Sequence, residues 1–166
     1  LTDVTGVQTC ALPIYGGTLW YGYIWDITER RLAENRIRRL ALYDPLTGLA
    51  NRRMLMDRLA HAVALSGRNK EYGAVLMLDL DNFKSLNDTK GHDIGDALLV
   101  EVGRRLAGCV READTVARLG GDEFVVLLEC LGNDETIGND KVMAVAEKIR
   151  SELNRPYILG DGRHVH

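Results

Sequence analysis

The apolar residues of this chain recur at two spacings, and the places where one spacing gives way to the other predict its elements. Over 17–27 the run Gly-Thr-Leu-Trp-Tyr-Gly-Tyr-Ile-Trp-Asp-Ile is aromatic and β-branched, which favours a strand. Strong helix formers follow over 29–42, where Ala33, Ile37 and Leu40 stand at 4-3 spacing with arginines and glutamates on the other faces. That pattern suits a short coiled-coil seam, and it also suits an ordinary amphipathic helix packed on its own domain. Asp44-Pro45 is a turn or helix-start signal and marks a domain boundary, since Asp caps a helix and Pro is accepted at the first helical position. Leu55, Leu59, Ala62 and Val63 predict a helix over 49–65 that ends at Ser66-Gly67. The continuous apolar run over 72–80 is too short for a comfortable helix and predicts a central strand buried on both faces.

Helical period returns over 94–110 through Ala97, Leu98, Val102, Leu106 and Val110. Two strand-like runs, 115–119 and 123–128, flank Gly120-Gly121-Asp122, a hairpin signal because glycine accepts the positive φ of tight turns. A third amphipathic helix is expected over 141–153, followed by the beginning of another hairpin at 157–159 and 164–166. Helices and strands alternate, so the fold class is α/β or α+β, with helices packed on a sheet.

Composition narrows the possibilities. An apolar content of 46% supports one real core, while the absence of an apolar run of about 18 residues excludes a membrane-spanning helix. The net charge of -3 argues against a nucleic-acid polymer as partner, so any anion site must be local. Cys10, Cys109 and Cys130 form no Cys-x-x-Cys pair, which argues against a zinc site or a disulfide framework and makes the cytoplasm the expected compartment. The stretch 4–14 resembles a translated short-read sequencing adapter, and 1–14 is set aside from fold reasoning.

Two acidic groups carry candidate chemistry. Asp79 and Asp81 stand at the carboxyl end of a strand, and Asp122-Glu123 stand beside the glycine tip of a hairpin. Gathered carboxylates repel unless a divalent cation sits among them, and hard cations prefer oxygen ligands. Magnesium keeps part of its shell for phosphate oxygens, so acidic groups beside glycines suit a nucleotide triphosphate that must approach the backbone. Taken alone, Asp79 and Asp81 would equally cap a turn. His92 has no second histidine at ligand spacing and reads as a packing or hydrogen-bonding residue.

The segment Arg118-Leu119-Gly120-Gly121-Asp122-Glu123-Phe124 contains the signature pentapeptide of the GGDEF family of diguanylate cyclases. Asp44-Pro45-Leu46-Thr47-Gly48-Leu49-Ala50-Asn51-Arg52 resembles that family's opening motif. Asp79-Leu80-Asp81-Asn82-Phe83-Lys84, then Asn87-Asp88 and Gly91-His92-Asp93-Ile94-Gly95-Asp96, resemble its metal and nucleotide segment. The resemblance implies a mostly antiparallel sheet flanked by helices, related to the palm of polymerases and class III adenylyl cyclases and incomplete at its C-terminus. It implies condensation of two GTP molecules into cyclic di-GMP with loss of pyrophosphate, dependent on magnesium or manganese. Asp79, the Leu80 carbonyl and Asp122 would hold metal, and Asp122 with Glu123 would assist removal of the 3′-hydroxyl proton. Asn87 and Asp96 would read guanine. The amides around Asn82 and Phe83, helped by Lys84, would face phosphates, with Gly120 and Gly121 giving the nucleotide room.

Arg111-Glu112-Ala113-Asp114 matches the placement of the family's Arg-x-x-Asp inhibitory site for cyclic di-GMP, and a solvated Arg-Asp pair is the plainer alternative. Because each half-site presents one GTP, the resemblance also implies a homodimer. The strand and helix before the boundary resemble the tail of a PAS sensor (15–28) and a signalling helix (29–42), leaving 43–166 for the cyclase domain. Two other functions stay open: a receptor that binds cyclic di-GMP without turnover, and a GTP-binding regulatory domain of an attached phosphodiesterase.

Overall fold

In the computed structural model, which describes residues 7–24, 26–159 and 163–165, the chain divides between Ala41 and Leu42 into two units. The first begins with an antiparallel hairpin, β1 (Val7–Ile14) and β2 (Gly17–Ile24), whose register runs from Val7↔Ile24 to Ile14↔Gly17. β1 takes in most of the adapter-like stretch. β2 stops at Ile24, short of the expected strand end, and Trp25 lies outside the described residues. The Asp26 carboxylate accepts the Thr28 amide at 2.8 Å where α1 (Thr28–Leu42) begins. α1 has no buried residue, and Leu32, Ile37 and Leu40 are each about two-thirds exposed.

The second unit opens with a tight turn in which the Gly48 amide donates to the Asp44 carbonyl at 2.9 Å and the Asp44 amide to the Leu49 carbonyl at 2.8 Å. Asn51 then caps α2 (Arg52–Asn69), its side chain accepting the Met54 amide. α2 runs past Ser66-Gly67 to a left-handed Lys70, because one serine and one glycine lower helix stability by only about 1 kcal/mol. β3 (Ala74–Leu78) follows, then α3 (Phe83–Lys90), α4 (His92–Cys109), β4 (Thr115–Gly120), β5 (Glu123–Leu128) and α5 (Glu135–Leu153). A separate small hairpin pairs β6 (Tyr157–Leu159) with β7 (Arg163–Val165).

The main sheet has the order β3-β5-β4, with both pairings antiparallel. This corrects one expectation: the central strand is β5, and β3 lies at an edge of the described sheet. β5 alternates between two cores. Phe124, Val126 and Leu128 pack with Leu98, Leu99, Val102 and Leu106 of α4 and Ile149 of α5. Val125 and Leu127 pack on the other side with Ala117, Ala50 and Leu55 of α2. Each fully buried side chain of this size contributes about 1.5–3 kcal/mol, so β5 is the best anchored element of the unit. β3 buries only one face: Ala74, Leu76 and Leu78 are half-buried, whereas Val75 and Met77 are 49% and 75% exposed.

Two further boundaries differ from expectation. α3 forms between the strand expected over 72–80 and the helix expected over 94–110, where no element was expected, and α5 starts at Glu135, capped by the Asp134 side chain, six residues before Lys141. No helix of the described residues is long and apolar enough to cross a membrane.

Candidate active site

The position of the site follows from strand register. Leu78, the last residue of β3, pairs with Phe124, so one further step along the antiparallel pair brings Asp79 alongside Glu123 and the adjoining Asp122. Asp79 and Asp122, 43 residues apart in sequence, thus lie at the same end of the sheet. Asp79, Asp81 and Glu123 are exposed, and Asp122 is half-buried.

The hairpin between β4 and β5 needs its glycines for conformation. Gly120 has φ +144° and Gly121 φ +55°, values at which a side chain is strained, and the β4-β5 register shifts between Arg118 and Gly120. A Cβ at either glycine would meet no atom within 4 Å, so the space over the tip is open.

Arg118 holds this tip in place. Its Nε and Nη2 donate to the Gly121 carbonyl at 2.9 and 2.7 Å, and its Nη1 donates to Asp44 Oδ1 at 3.0 Å. The same Asp44 oxygen accepts the Thr47 amide at 2.9 Å and the Thr47 hydroxyl at 2.6 Å. Burial alone would push the Asp44 carboxyl up, but the two hydrogen bonds from Thr47, with the hydrogen bond and charge of Arg118, hold it below the usual carboxylate range. One guanidinium therefore ties the opening turn of the unit to the glycine tip. Neither Asp44 nor Arg118 stood among the residues expected from sequence to serve the site, although both lay inside motifs quoted there; an arginine two residues before a glycine pair was the available signal.

After β3 the chain turns through Asp81 and a left-handed Asn82 (φ 60°) into α3. The Phe83 amide donates to the Leu80 carbonyl at 3.3 Å, so these two backbone groups partly satisfy each other, while the carbonyl keeps a second lone pair. Lys84 is exposed. A cavity of about 670 Å³ lies on one side of the Asp79–Asn82 turn, reaching Arg150 and Asn154 of the α5 end, and one of about 290 Å³ lies on the other against α3.

α3 and α4 bring the two remaining polar candidates together. Asn87 packs against Gly95, which Asp96 follows directly, and the Asn87 Oδ1 is buried without a hydrogen-bond partner. An added Cβ at Gly95 would overlap that oxygen and stand 2.9 Å from its carbon. A buried acceptor left open costs about 1–3 kcal/mol, which marks this position as one that a ligand donor would satisfy.

Arg111 and Asp114 are not at this site. They precede β4, whose other end carries Gly120, so about five residues of strand, roughly 17 Å, separate them from the tip. Asp114 closes its own turn: Oδ2 accepts the Arg111 amide at 3.0 Å and Oδ1 the Glu129 amide at 3.2 Å.

Among the described residues, no group of three or more His, Cys, Asp or Glu side chains gathers as a metal cluster. The donors on hand are two carboxylates, Asp79 and Asp122, and the Leu80 carbonyl. This oxygen-only set fits a hard divalent cation that draws its remaining ligands from water and phosphate.

A family model described as diguanylate cyclase, GGDEF domain, matches residues 41–165. The chain is 44% identical over 130 residues to the bifunctional diguanylate cyclase/cyclic di-GMP phosphodiesterase MucR of Pseudomonas aeruginosa, covering 78% of this chain and 18% of MucR. The GGDEF domain of TpbB (YfiN) from Pseudomonas aeruginosa superposes with a TM-score of 0.69 at 41% identity, covering 74% of this chain and 69% of that one. The coiled coil and GGDEF domain of DgcB from Caulobacter crescentus, solved with c-di-GMP, gives 0.72 at 29% identity, covering 81% and 68%. The chain thus spans less than a fifth of the curated relative MucR.

Proposed function

Since the chain belongs to the GGDEF family of diguanylate cyclase domains, we propose that its parent protein joins two GTP molecules into cyclic di-GMP, releasing pyrophosphate at each attack. The observation that supports this reading is the register that brings the end of β3, where Asp79 follows, to the same end of the sheet as the open glycine tip before Asp122 and Glu123. Asp79, Asp122 and the Leu80 carbonyl would hold magnesium or manganese, which when bound neutralises phosphate charge and makes a 3′-hydroxyl more acidic. Gly120 and Gly121 leave room for the triphosphate, and Lys84 with the Asn82-Phe83 turn would receive its outer phosphates. The open acceptor of Asn87 and the carboxylate of Asp96 suit the N1 and N2 donors of guanine, which adenine does not present in that pattern. Asp122, with Glu123 beside it, accepts the proton from the attacking 3′-oxygen as that oxygen bonds to the α-phosphorus and pyrophosphate leaves.

A domain holding one GTP needs a second copy to close the ring, so the active form is a homodimer. The exposed Ile37 and Leu40 of α1 supply an apolar seam for aligning two copies, in keeping with a signalling helix after a PAS-type segment. Arg111 and Asp114 would bind product as an inhibitory site.

Titrating the chain with a non-hydrolysable GTP analogue tests the reading at its base. Association is expected with magnesium and not with EDTA; calorimetry that detects no magnesium-dependent association overturns it. Gly95→Ala sharpens the test. The methyl displaces the Asn87 amide, so analogue affinity should fall about tenfold, roughly one neutral hydrogen bond's worth. Urea stability should hold or rise, because the obstructing atom is a movable side-chain end and alanine favours a helix by about 1 kcal/mol.

A further inference from the structure

The glycine tip has two ways to turn, and one side chain chooses between them. Gly120 pairs with Glu123, so Gly121 and Asp122 are the two central residues of the turn. Gly121 has φ +55°, whereas the φ of Asp122 is not positive, which is the sense of a type II′ turn. The type I′ alternative needs positive φ at both positions; glycine takes it freely and aspartate tolerates it. The two turns differ by a half-rotation of the central peptide, which exchanges the Gly121 carbonyl with the Asp122 N–H.

Arg118 blocks that exchange. Its Nε and Nη2 both donate to the Gly121 carbonyl, at 2.9 and 2.7 Å, so a flip breaks two hydrogen bonds at once. The guanidinium is itself fixed, since Nη1 is committed to Asp44 and the side chain is 11% exposed. No described peptide bond is cis, and in a trans peptide the N–H points opposite to the carbonyl. The Asp122 N–H therefore faces away from Arg118, and no backbone carbonyl among the described residues accepts it. The opening turn meets β4 at Val116 and Arg118, while β3, which leads to Asp79, lies on the far side of β5. A flipped peptide would set an acceptor where phosphate oxygens need a donor.

We infer that Arg118 is a positioning residue for the reaction, holding the Gly121–Asp122 peptide so that the Asp122 N–H is offered to a phosphate oxygen of the nucleotide. The inference rests on the proposed GTP site and adds to it a backbone donor and the side chain that aims it. A donor aimed before the ligand arrives costs no reorganisation when charge reaches it. Arg118 acts only through the peptide, because its own charge is answered by Asp44.

Amide NMR spectra of the chain decide the matter. Adding magnesium with the non-hydrolysable GTP analogue is expected to move the Asp122 amide proton downfield. Magnesium with guanosine, which has no phosphate, is expected to leave it in place. Arg118→Lys keeps a cation beside Asp44 but cannot give one carbonyl two parallel donors. It should weaken analogue binding about tenfold, the lower end for one charge-assisted hydrogen bond, and abolish the downfield shift. The Asn87 side-chain signals should still respond to the analogue in that variant, as they do in the unaltered chain. An Asp122 amide that stays in place while the analogue binds, or that guanosine moves equally, overturns the inference and leaves the GTP site standing. Arg118→Lys binding the analogue as tightly as the unaltered chain does the same. If the unaltered chain binds no analogue with magnesium, the GTP site falls and this inference with it.

Discussion

Replacing Asp122 by alanine in the full-length parent protein is expected to reduce cyclic di-GMP synthesis by about 10³-fold or more while leaving the fold intact. Asp122 is asked to do two things, to hold cation and to receive the 3′-hydroxyl proton. Metal charge stabilisation alone is worth several kcal/mol, and about 4 kcal/mol corresponds to about 10³ in rate. The fold survives because Asp122 makes no ion pair among the described residues, and the tip geometry is kept by Arg118 on the Gly121 carbonyl. Product release from GTP, followed by chromatography, measures the effect. A variant that keeps more than a tenth of the activity would remove Asp122 from the chemistry.

The second large effect concerns stability. Arg118→Met should lower the unfolding free energy by about 3 kcal/mol, the lower end of the range for stripping one partner from a buried ion pair. Arg118 and Asp44 are only 11% and 16% exposed, so the abandoned carboxylate is only partly hydrated, yet Thr47 still gives it two hydrogen bonds. The double variant Asp44→Asn, Arg118→Met should recover part of the loss, because no uncompensated charge is left. Urea unfolding reads both.

The pH dependence has a definite sign. The folded Asp44 carboxyl lies below its unfolded value of about 3.9, so its contribution is complete above that value and disappears as pH falls through the folded one. Asp44→Asn should flatten the acid limb of the stability profile; an unchanged limb would mean the clamp carries little energy.

The hairpin and the acid-bearing strand end were legible in sequence because glycine pairs and short apolar runs have local causes. What sequence could not give was neighbourhood. The run 74–78 and the run 124–128 are equally apolar, yet only the second lies between two strands and two helical layers, so burial on both faces was assigned to the wrong one. α3 escaped because its helix is short and polar, with Leu86 half-buried and the rest carried by packing against α4. The first two turns of α5 escaped because Gly138 and Asn139 weaken helical propensity, while the Asp134 cap that starts it is a single side chain. The Asp44-Arg118 bond joins residues 74 apart, and no periodicity reports such a contact. The orphaned Asn87 oxygen likewise exists only through helix pairing.

One strand, β5, is both the backbone of the two cores and the carrier of the acidic pair at its first residue and just before it. Reacting groups carried on surface loops can shift without disturbing the interior. Here loosening the glycine tip by even a residue tugs on Phe124, which is 1% exposed at the centre of the packing. Evolution of a faster or slower site in this scaffold is therefore confined to the surrounding turns, because tuning the tip itself would draw on the protein's reserve against melting.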